Sequence, residues 1–245
     1  MPVYKLVLSY LGTRYSGWQV QPEKVTIQGV LNSKLAAIFK EDIPVVGAGR
    51  TDAGVHALGQ VAHIRSNKTI SPDCLKRALN STLPSDIAVI SVTEAEPSFH
   101  ARFCAKGKFY RYWIYQGDRS PFYWPYSWFL PKPLDIESIR CAISLFEGTH
   151  DFSAFSVINR DTKTNSTRTI TRAQLLQYDN CIINLEFEGD GFLRKMVRRI
   201  VGTLVDIGRG RFSPDDVEQM FSSKDPRYAG PTAPAQGLFL AKVDY

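Results

Sequence analysis

The chain has 245 residues, a formal net charge of +6 at pH 7 and a pI near 9.1. Hydrophobic residues make up 44% and charged residues 22%, an ordinary globular composition that excludes collagen-like, coiled-coil and disordered proteins. This length suffices for one large domain or for two domains of roughly 100 to 150 residues each. The positive charge favours polyanionic partners, although a basic surface alone is about equally compatible with a protein that binds no nucleic acid.

The N-terminal segment and the cysteines bear on the cellular compartment. MPVYKLVLSYLG lacks a basic leader followed by a long apolar stretch, and no run of about 18 apolar residues occurs, so neither secretion nor membrane insertion is expected. The four cysteines are spread widely without a Cys-x-x-Cys pair, so neither a zinc site nor a disulfide framework is expected. We therefore predict a cytoplasmic protein.

Hydrophobic periodicity predicts a β-α-β-β-α-β order in the N-terminal half. Alternation indicates a strand over Val3–Tyr10, and a turn-rich stretch follows from Gly12 to Pro22. Thr26 is placed to cap an amphipathic helix that extends to about Phe39. The remaining predicted elements are strands over Pro44–Val46 and Gln60–Ile64, a helix over Ser71–Leu79 and a strand over Ile87–Val92.

The C-terminal half repeats this order. Its clearest helix carries an i, i+3, i+4, i+7 apolar stripe and stops near Gly208. The stripe consists of Leu193, Met196, Val197, Ile200, Val201, Leu204 and Val205. The other predicted elements are strands over Lys108–Tyr115, Arg168–Gln177, Cys181–Glu188 and Leu238–Val243, and helices over about Asp135–Phe146 and Pro214–Phe221.

Two successive units of this kind define an α+β fold class. Each unit would place helices over one face of an antiparallel sheet, and a cleft would form where the units meet. The segment Ala101–Lys108 would be the crossover, and no low-complexity linker interrupts it. We therefore predict two ferredoxin-like halves, residues 1–104 and 105–245, that share a mostly antiparallel sheet.

A single carboxylate lies among small residues in GAGRTDAGVH, Gly47–His56. Such a loop can bring Asp52 close to a substrate, where it could act as a nucleophile or a base. The guanidinium of Arg50 would favour the ionised form of that carboxylate. An Asp beside Gly more often closes a turn, and the composition of the loop alone favours that simpler interpretation.

The longer segment GRTDAGVHALGQVAH, Gly49–His63, resembles the catalytic signature of the TruA family of tRNA pseudouridine synthases over its whole length. This many ordered matches form a far more specific signal than one short motif. The other family-like segments are Gly17–Gln19 with Gln21, FHARF at Phe99–Phe103, KFYRY at Lys108–Tyr112, GTHDFSAF at Gly148–Phe155, GFLRKMVRRIVGTLVDIGRG at Gly191–Gly210, and APAQGLFL at Ala233–Leu240.

The resemblance implies the pseudouridine synthase fold and a homodimer that acts on tRNA without a cofactor. It also implies isomerisation of uridines in the anticodon arm, at about positions 38 to 40, where loops and stem ends make base flipping least costly. By the same resemblance Asp52 is the essential aspartate, Tyr110 the active-site tyrosine and Arg198 the arginine that pairs with the aspartate. Leu238 matches the apolar residue that packs against the target base.

The residue types agree with these roles. Tyr110 offers a flat ring for a flipped uracil and a hydroxyl for proton transfer, although without the motif a strand residue that faces the core remains a plausible interpretation. Arg194, Lys195, Arg198 and Arg199 fall outside the apolar stripe, which ordinarily marks a solvated face. Since the resemblance singles out Arg198, the other three are candidates for phosphate contacts. Weaker candidates are Arg14, Arg102, Arg209 and Arg211.

No metal or cofactor is predicted. The four histidines, His56, His63, His100 and His150, show no metal-ligand spacing and no interleaved cysteines. A noncatalytic structured-RNA-binding protein is the main alternative, because ferredoxin-like units commonly present RNA-binding sheets, and it predicts that Asp52 is dispensable. An aspartate-dependent hydrolase ranks lower, because no paired carboxylate, triad or metal set is evident.

Overall fold

The computed structural model describes residues 1–157, 165–178 and 180–245. The chain divides into two compact units, one formed by Met1–Lys106 with Phe239–Tyr245 and the other by Gly107–Leu238. The first boundary lies close to the sequence-based division between residues 104 and 105. The final segment, which the sequence assigns to the C-terminal half, is counted with the first unit because it forms a strand parallel to the one that begins at His56.

The first unit contains the elements predicted for the N-terminal half. They are β1 (Val3–Tyr10), α1 (Ile27–Phe39), β2 (Val46–Gly47), β3 (His56–Arg65), α2 (Pro72–Thr82) and β4 (Ile87–Ala95). Thr26 caps α1, since its Oγ1 accepts from Gly29 N at 3.2 Å. β3 begins at His56 rather than Gln60, because a bulge in its pairing with β1 breaks the alternation from which the shorter strand was predicted.

The second unit contains the elements predicted for the C-terminal half and two short strands that the sequence did not reveal. They are β5 (Gly107–Tyr115), β6 (Trp128–Phe129), α3 (Ile136–Ser144), β7 (Gly148–Asp151), β8 (Thr167–Gln177), β9 (Ile182–Gly189), α4 (Met196–Gly208) and α5 (Asp216–Ser223). The last predicted strand is β10 (Leu238–Asp244), which belongs to the first unit from Phe239 onward. The ends of the predicted helices shift by a few residues, as is usual at frayed termini.

Both units are built on mostly antiparallel sheets. In the first unit the strand order is β4-β1-β3-β10, in which β1 is antiparallel to both neighbours and β10 is parallel to β3. In the second unit the order β5-β9-β8-β7 is antiparallel, and the short β6 runs parallel to β5. The predicted α+β class is therefore confirmed.

Each sheet buries one face against helices. In the first unit the fully buried leucines come from strands and helices alike: Leu6, Leu8, Leu31, Leu35, Leu75 and Leu79. Each such side chain stabilises the fold by about 1.5 to 3 kcal/mol relative to exposure. In the second unit the core includes Leu185, Phe187, Ile139, Phe146, Ile200 and Leu204. Among the described residues, no helix is both long enough and apolar enough to cross a membrane.

Candidate active site

Asp52 lies half-buried on a tight turn between β2 and β3. Val55 N donates to Asp52 O at 3.1 Å and closes the turn. Trp18 N donates to the preceding carbonyl, Thr51 O, at 3.0 Å. Backbone donors thus hold both carbonyls, so the backbone at Asp52 is fixed. The carboxylate can change its position only by rotation about its own side-chain bonds.

The segment after β1 approaches the Asp52 loop so closely that a side chain would not fit. Gly17 has a φ of 89°, and a Cβ built on it would lie 2.7 Å from Thr51 O. Only glycine combines this left-handed conformation with so close an approach. The Gly-Trp-Gln match noted in the sequence therefore has a structural role, because it supports the loop that carries Asp52.

Three buried polar side chains, which the sequence did not single out, also hold the loop. The hydroxyls of Tyr10 and Thr51 lie 2.9 Å apart and share a hydrogen bond. Gln60 Nε2 donates to Gly49 O at 2.9 Å and to the Tyr10 hydroxyl at 3.5 Å. Burial raises the pKa of the Tyr10 phenol to about 12, so the hydroxyl stays protonated near neutral pH.

Arg50 is exposed, and its guanidinium forms no ion pair or hydrogen bond within the part of the chain that the structure describes. An exposed guanidinium beside Asp52 can approach an RNA phosphate or a base from the solvent side. Its position in the loop is compatible with the predicted contact to substrate.

Tyr110 lies on β5 in the second unit and is 8% exposed. Its ring meets the ring of Phe192 edge-on, with centroids 5.1 Å apart. Tyr112, two residues further along the same face, is fully buried and donates its hydroxyl to Pro234 O at 2.8 Å. Tyr110 is therefore part of a fixed aromatic surface and retains a small exposed edge.

Arg198 lies on α4, where its side chain is oriented by a backbone carbonyl. Its Nε donates to Ala233 O at 2.7 Å, and Ala233 N donates back to Arg198 O at 3.0 Å. Burial raises the pKa of the Tyr112 phenol, and the positive charge of Arg198 opposes part of that rise. The guanidinium thus lies close enough to act electrostatically on the strand that carries Tyr110.

The segment before Leu238 connects the elements of this site. Pro234 O accepts from Tyr112 and Ala233 O accepts from Arg198, so the segment contacts both β5 and α4. Leu238, at the start of β10, is 6% exposed. The second unit therefore brings together the elements that bear Tyr110, Arg198 and Leu238, whereas Asp52 and Arg50 belong to the first unit.

The predicted phosphate contacts around the start of α4 differ in their surroundings. Arg194 is exposed, and Lys195 is half-buried at the N-cap position with a left-handed φ of 61°. Arg199 instead turns toward the protein, where its Nη2 donates to Pro226 O and burial lowers the pKa of its guanidinium. Arg194 and Lys195 therefore suit a phosphate contact better than Arg199 does.

The weaker arginine candidates mostly have carboxylate partners. Arg14 contacts Asp86 at 2.6 Å, and Arg209 and Arg211 lie 3.5 and 3.1 Å from Asp206. Asp86 neutralises the charge of Arg14, whereas Arg209 and Arg211 share the single carboxylate of Asp206 and keep a net positive charge between them. Arg102 differs, because it is exposed and lies 5.7 Å from the centroid of the Phe103 ring.

The described residues include no group of three or more His, Cys, Asp or Glu that could hold a metal ion. Two histidines accept backbone hydrogen bonds instead: His56 Nδ1 from Gly12 N at 3.0 Å, and His63 Nδ1 from Ala101 N at 3.1 Å. Burial lowers the pKa of His63 to about 4, so this imidazole is neutral at physiological pH. Both rings act as structural acceptors in the first unit.

Comparison with known proteins identifies the family. A family model described as tRNA pseudouridine synthase matches residues 6–104 and 142–245. The tRNA pseudouridine synthase A of Geobacillus sp. (strain WCH70) is 47% identical, covering 98% of this chain and 97% of the relative. The tRNA pseudouridine synthase A of Exiguobacterium sibiricum is 44% identical, covering 99% of this chain and 96% of the relative. That of Moorella thermoacetica is 43% identical and covers 100% of both chains.

A more distant likeness is to the archaeal box H/ACA sRNP Nop10-Cbf5 complex. It has 12% identity and a TM-score of 0.36, and it covers 82% of this chain and 44% of that one. The sequence relatives match nearly end to end at much higher identity. The family model and these relatives together show that the chain belongs to the tRNA pseudouridine synthase family, whose members are isomerases with the pseudouridine synthase fold.

Proposed function

We propose that this chain converts uridine to pseudouridine in the anticodon arm of tRNA, at about positions 38 to 40, where flipping a base out of its stack costs least. Asp52 is its central catalytic group, and the enzyme works as a cytoplasmic homodimer without a cofactor. The observation that carries the proposal is the Asp52 turn. It presents a half-buried carboxylate on a backbone held by hydrogen bonds to both adjoining carbonyls.

The reaction needs a carboxylate and a closed site rather than a co-reactant. The bond between N1 and C1′ breaks, the uracil turns while bound, C5 joins C1′, the C5 proton leaves and N1 gains a proton. The site must hold the detached base and exclude water, which would otherwise compete for C1′. Within such a site, Asp52 acts as a nucleophile or as a base.

Residues of the second unit take complementary roles in this proposal. The flat ring of Tyr110 receives the flipped uracil, and its hydroxyl can take part in proton transfer. The cation of Arg198 favours the ionised form of Asp52. Leu238 supplies the apolar contact to the base. The segment before Leu238 supports these roles, because it accepts hydrogen bonds from Tyr112, two residues beyond Tyr110 on β5, and from Arg198 on α4.

Folded RNA is held through its phosphates and shape. Arg50, Arg194 and Lys195 are the cations that we assign to this task, with a smaller part for Arg199, whose guanidinium is engaged with Pro226 O. The net charge of +6 adds nonspecific attraction. The affinity for tRNA should therefore fall steeply with salt, whereas the chemical step at saturating enzyme should not.

Replacement of Asp52 by Asn tests the central assignment. Asp52→Asn keeps the size and polarity of the side chain but removes the ionisable carboxylate, so turnover should fall on the order of a thousandfold or more while tRNA affinity and folding persist. The measurement is release of tritium from C5 of labelled uridine in tRNA. Asp42→Asn, a change at an exposed aspartate of the same unit, is the matched control and should behave as wild type.

The outcome separates the proposal from its alternative. Substantial pseudouridine formation by Asp52→Asn would remove Asp52 from the mechanism. If even the wild-type chain bound tRNA and formed no pseudouridine, it would be a noncatalytic RNA-binding protein. If the wild-type chain does form pseudouridine, the target is identified by replacing each uridine of the tRNA near positions 38 to 40 in turn. Product formation should be lost only when the target uridine itself is replaced.

A further inference from the structure

A buried polar network connects β1 and β3 to the Asp52 loop. Its members are Tyr10 at the end of β1, Gln60 on β3 and Thr51 in the loop, which are 3%, 0% and 6% exposed. Tyr10 and Thr51 share a hydrogen bond of 2.9 Å, and Gln60 Nε2 donates to Gly49 O at 2.9 Å. The network therefore holds the loop at two points on either side of Arg50.

The network is poorly explained by stability alone. Burial of a polar side chain is unfavourable unless its hydrogen bonds are made. Gln60 Oε1 is buried and has no hydrogen-bond partner among the described residues. An apolar side chain of similar size on β3 would avoid that penalty, but it could not donate to Gly49 O. The feature that the network supplies is a fixed position for the loop.

The three side chains act at a distance from the substrate. Their polar atoms are buried in the first unit, so they do not meet RNA directly. The Tyr10 phenol, whose pKa burial raises to about 12, keeps its proton and remains a permanent hydrogen-bonding group. A chemical role in proton transfer is therefore not needed to explain it. Its contact is to Thr51, the residue that directly precedes Asp52.

We propose that Tyr10, Thr51 and Gln60 are positioning residues that fix the backbone at Asp52 so that its carboxylate is presented to the uridine in one orientation. The inference rests on the proposed role of Asp52. Positioning of this kind affects the chemical step strongly, because a displacement of about 1 Å at a reacting group can reduce a rate on the order of a hundredfold.

β1 offers a matched control for the loss of a buried hydroxyl. Tyr4 points inward from the same strand, is fully buried, and both donates to Ile70 O and accepts from Ile70 N at 3.0 Å. Tyr4→Phe and Tyr10→Phe therefore remove the same group from comparable surroundings. Only the Tyr10 hydroxyl reaches the Asp52 loop, so the two variants should lose similar stability but differ in catalysis.

The experiment compares these variants in three measurements: the single-turnover rate at saturating enzyme, the Kd for tRNA, and Tm. Tyr10→Phe should slow the single-turnover rate about tenfold or more with the Kd within about twofold. Tyr4→Phe should turn over at the wild-type rate, with a fall in Tm similar to that of Tyr10→Phe. Equal rates for the two variants, or a Tyr10→Phe defect confined to the Kd, would overturn the proposal.

Thr51 provides a second pair of variants that does not depend on the folding of Tyr10→Phe. Thr51→Ser keeps the hydroxyl and should retain most of the rate, whereas Thr51→Val keeps the shape, removes the hydroxyl and should be as slow as Tyr10→Phe. The double variant Tyr10→Phe/Thr51→Val should be no slower than either single variant, because both remove one hydrogen bond. Full additivity, or an equal loss in Thr51→Ser and Thr51→Val, would count against the network.

Failure of this inference is distinguishable from failure of the proposed function. If Asp52→Asn retains activity, the catalytic assignment itself is wrong. If Asp52→Asn is inactive but Tyr10→Phe and Thr51→Val match wild type, Asp52 is catalytic and the buried network serves stability alone.

Discussion

The contrast between Arg198 and Lys195 tests the two roles proposed for side chains at α4, charge pairing with Asp52 and contact with a phosphate. Arg198 Nε donates to Ala233 O at 2.7 Å, whereas Lys195 lies half-buried at the N-terminal end of the helix. Arg198→Ala removes a cation whose direction the protein fixes. Lys195→Ala removes a partly exposed cation that is proposed to contact a phosphate. The two changes should therefore affect different steps.

The magnitude follows from the interactions that are lost. A hydrogen bond to a charged group contributes about 1.5 to 3 kcal/mol, and every 1.4 kcal/mol corresponds to about a tenfold change. If Arg198 acts on the ionised Asp52 through an interaction of this strength, Arg198→Ala should slow the chemical step roughly tenfold to a hundredfold. Arg198→Lys keeps the charge but not the planar donor geometry, so it should recover only part of that loss.

Single-turnover kinetics at saturating enzyme, combined with tRNA binding over a range of salt concentrations, separate the two effects. Arg198→Ala should lower the single-turnover rate far more than the affinity. Lys195→Ala should lower the affinity and reduce the salt slope by about one, because one phosphate contact has gone. A pure binding defect of the same size in both variants, with an unchanged single-turnover rate, would make Arg198 an ordinary phosphate contact and refute this reasoning.

Three further predictions concern the cofactor, the core and the helix contact. Activity should persist in excess chelator, whereas a loss that added metal restores would contradict a metal-free site. In the folded protein the pKa of His63 is lowered to about 4, chiefly by burial and to a smaller extent by the charges of His100 and Arg65. Because the usual value is about 6.5, the unfolded state binds the proton more readily than the folded state. Stability to urea should therefore fall as the pH drops from about 6.5 to about 4, and His63→Asn, which keeps an acceptor but does not titrate there, should weaken that dependence. Gly202→Ala should lower Tm, because a Cβ at this position would lie 1.7 Å from Pro231 O, and overpacking typically costs about 1 to 3 kcal/mol. Gly191→Ala is the control and should be tolerated, because the nearest atom to its Cβ would be 3.7 Å away.

Periodicity predicted the elements of this fold well wherever one face of an element is buried. The buried side chains of β1 alternate from Tyr4 to Tyr10, and α4 carries the predicted apolar stripe from Met196 to Val205, although Leu193 lies before its first residue. β7 was not predicted, because four residues within GTHDFSAF are too few to show a period. The pairing of β10 with β3 is likewise invisible to local patterns, since it joins Phe239 and Leu240 to His56 and Ala57, which are far apart in the sequence.

The environment of single side chains was harder to predict than their element. Arg199 lies outside the apolar stripe and was expected to face solvent, but its Nη2 donates to Pro226 O, and its Nε is buried without a hydrogen-bond partner among the described residues. Arg14 was a candidate for RNA contact, but it forms an ion pair with Asp86, which lies 72 residues further along the sequence. The burial of Tyr10 follows from alternation, whereas its contact with Thr51 depends on the register between β1 and the loop after β2.

The assignment of the last strand to the first unit has a consequence for synthesis of the protein. β10 pairs with β3, Tyr245 donates to Ala101 O, and Lys106 N donates to Asp244 O. A nascent chain that ended before residue 239 would leave the start of β3, at His56 and Ala57, without this pairing, so the unit that carries Asp52 cannot be completed until residues 239–245 have left the ribosome. Pairings of such high sequence separation form slowly. We therefore expect a stalled or truncated chain to expose the start of β3, and a chaperone or a protease would recognise it before the loop that carries Asp52 has reached its final form.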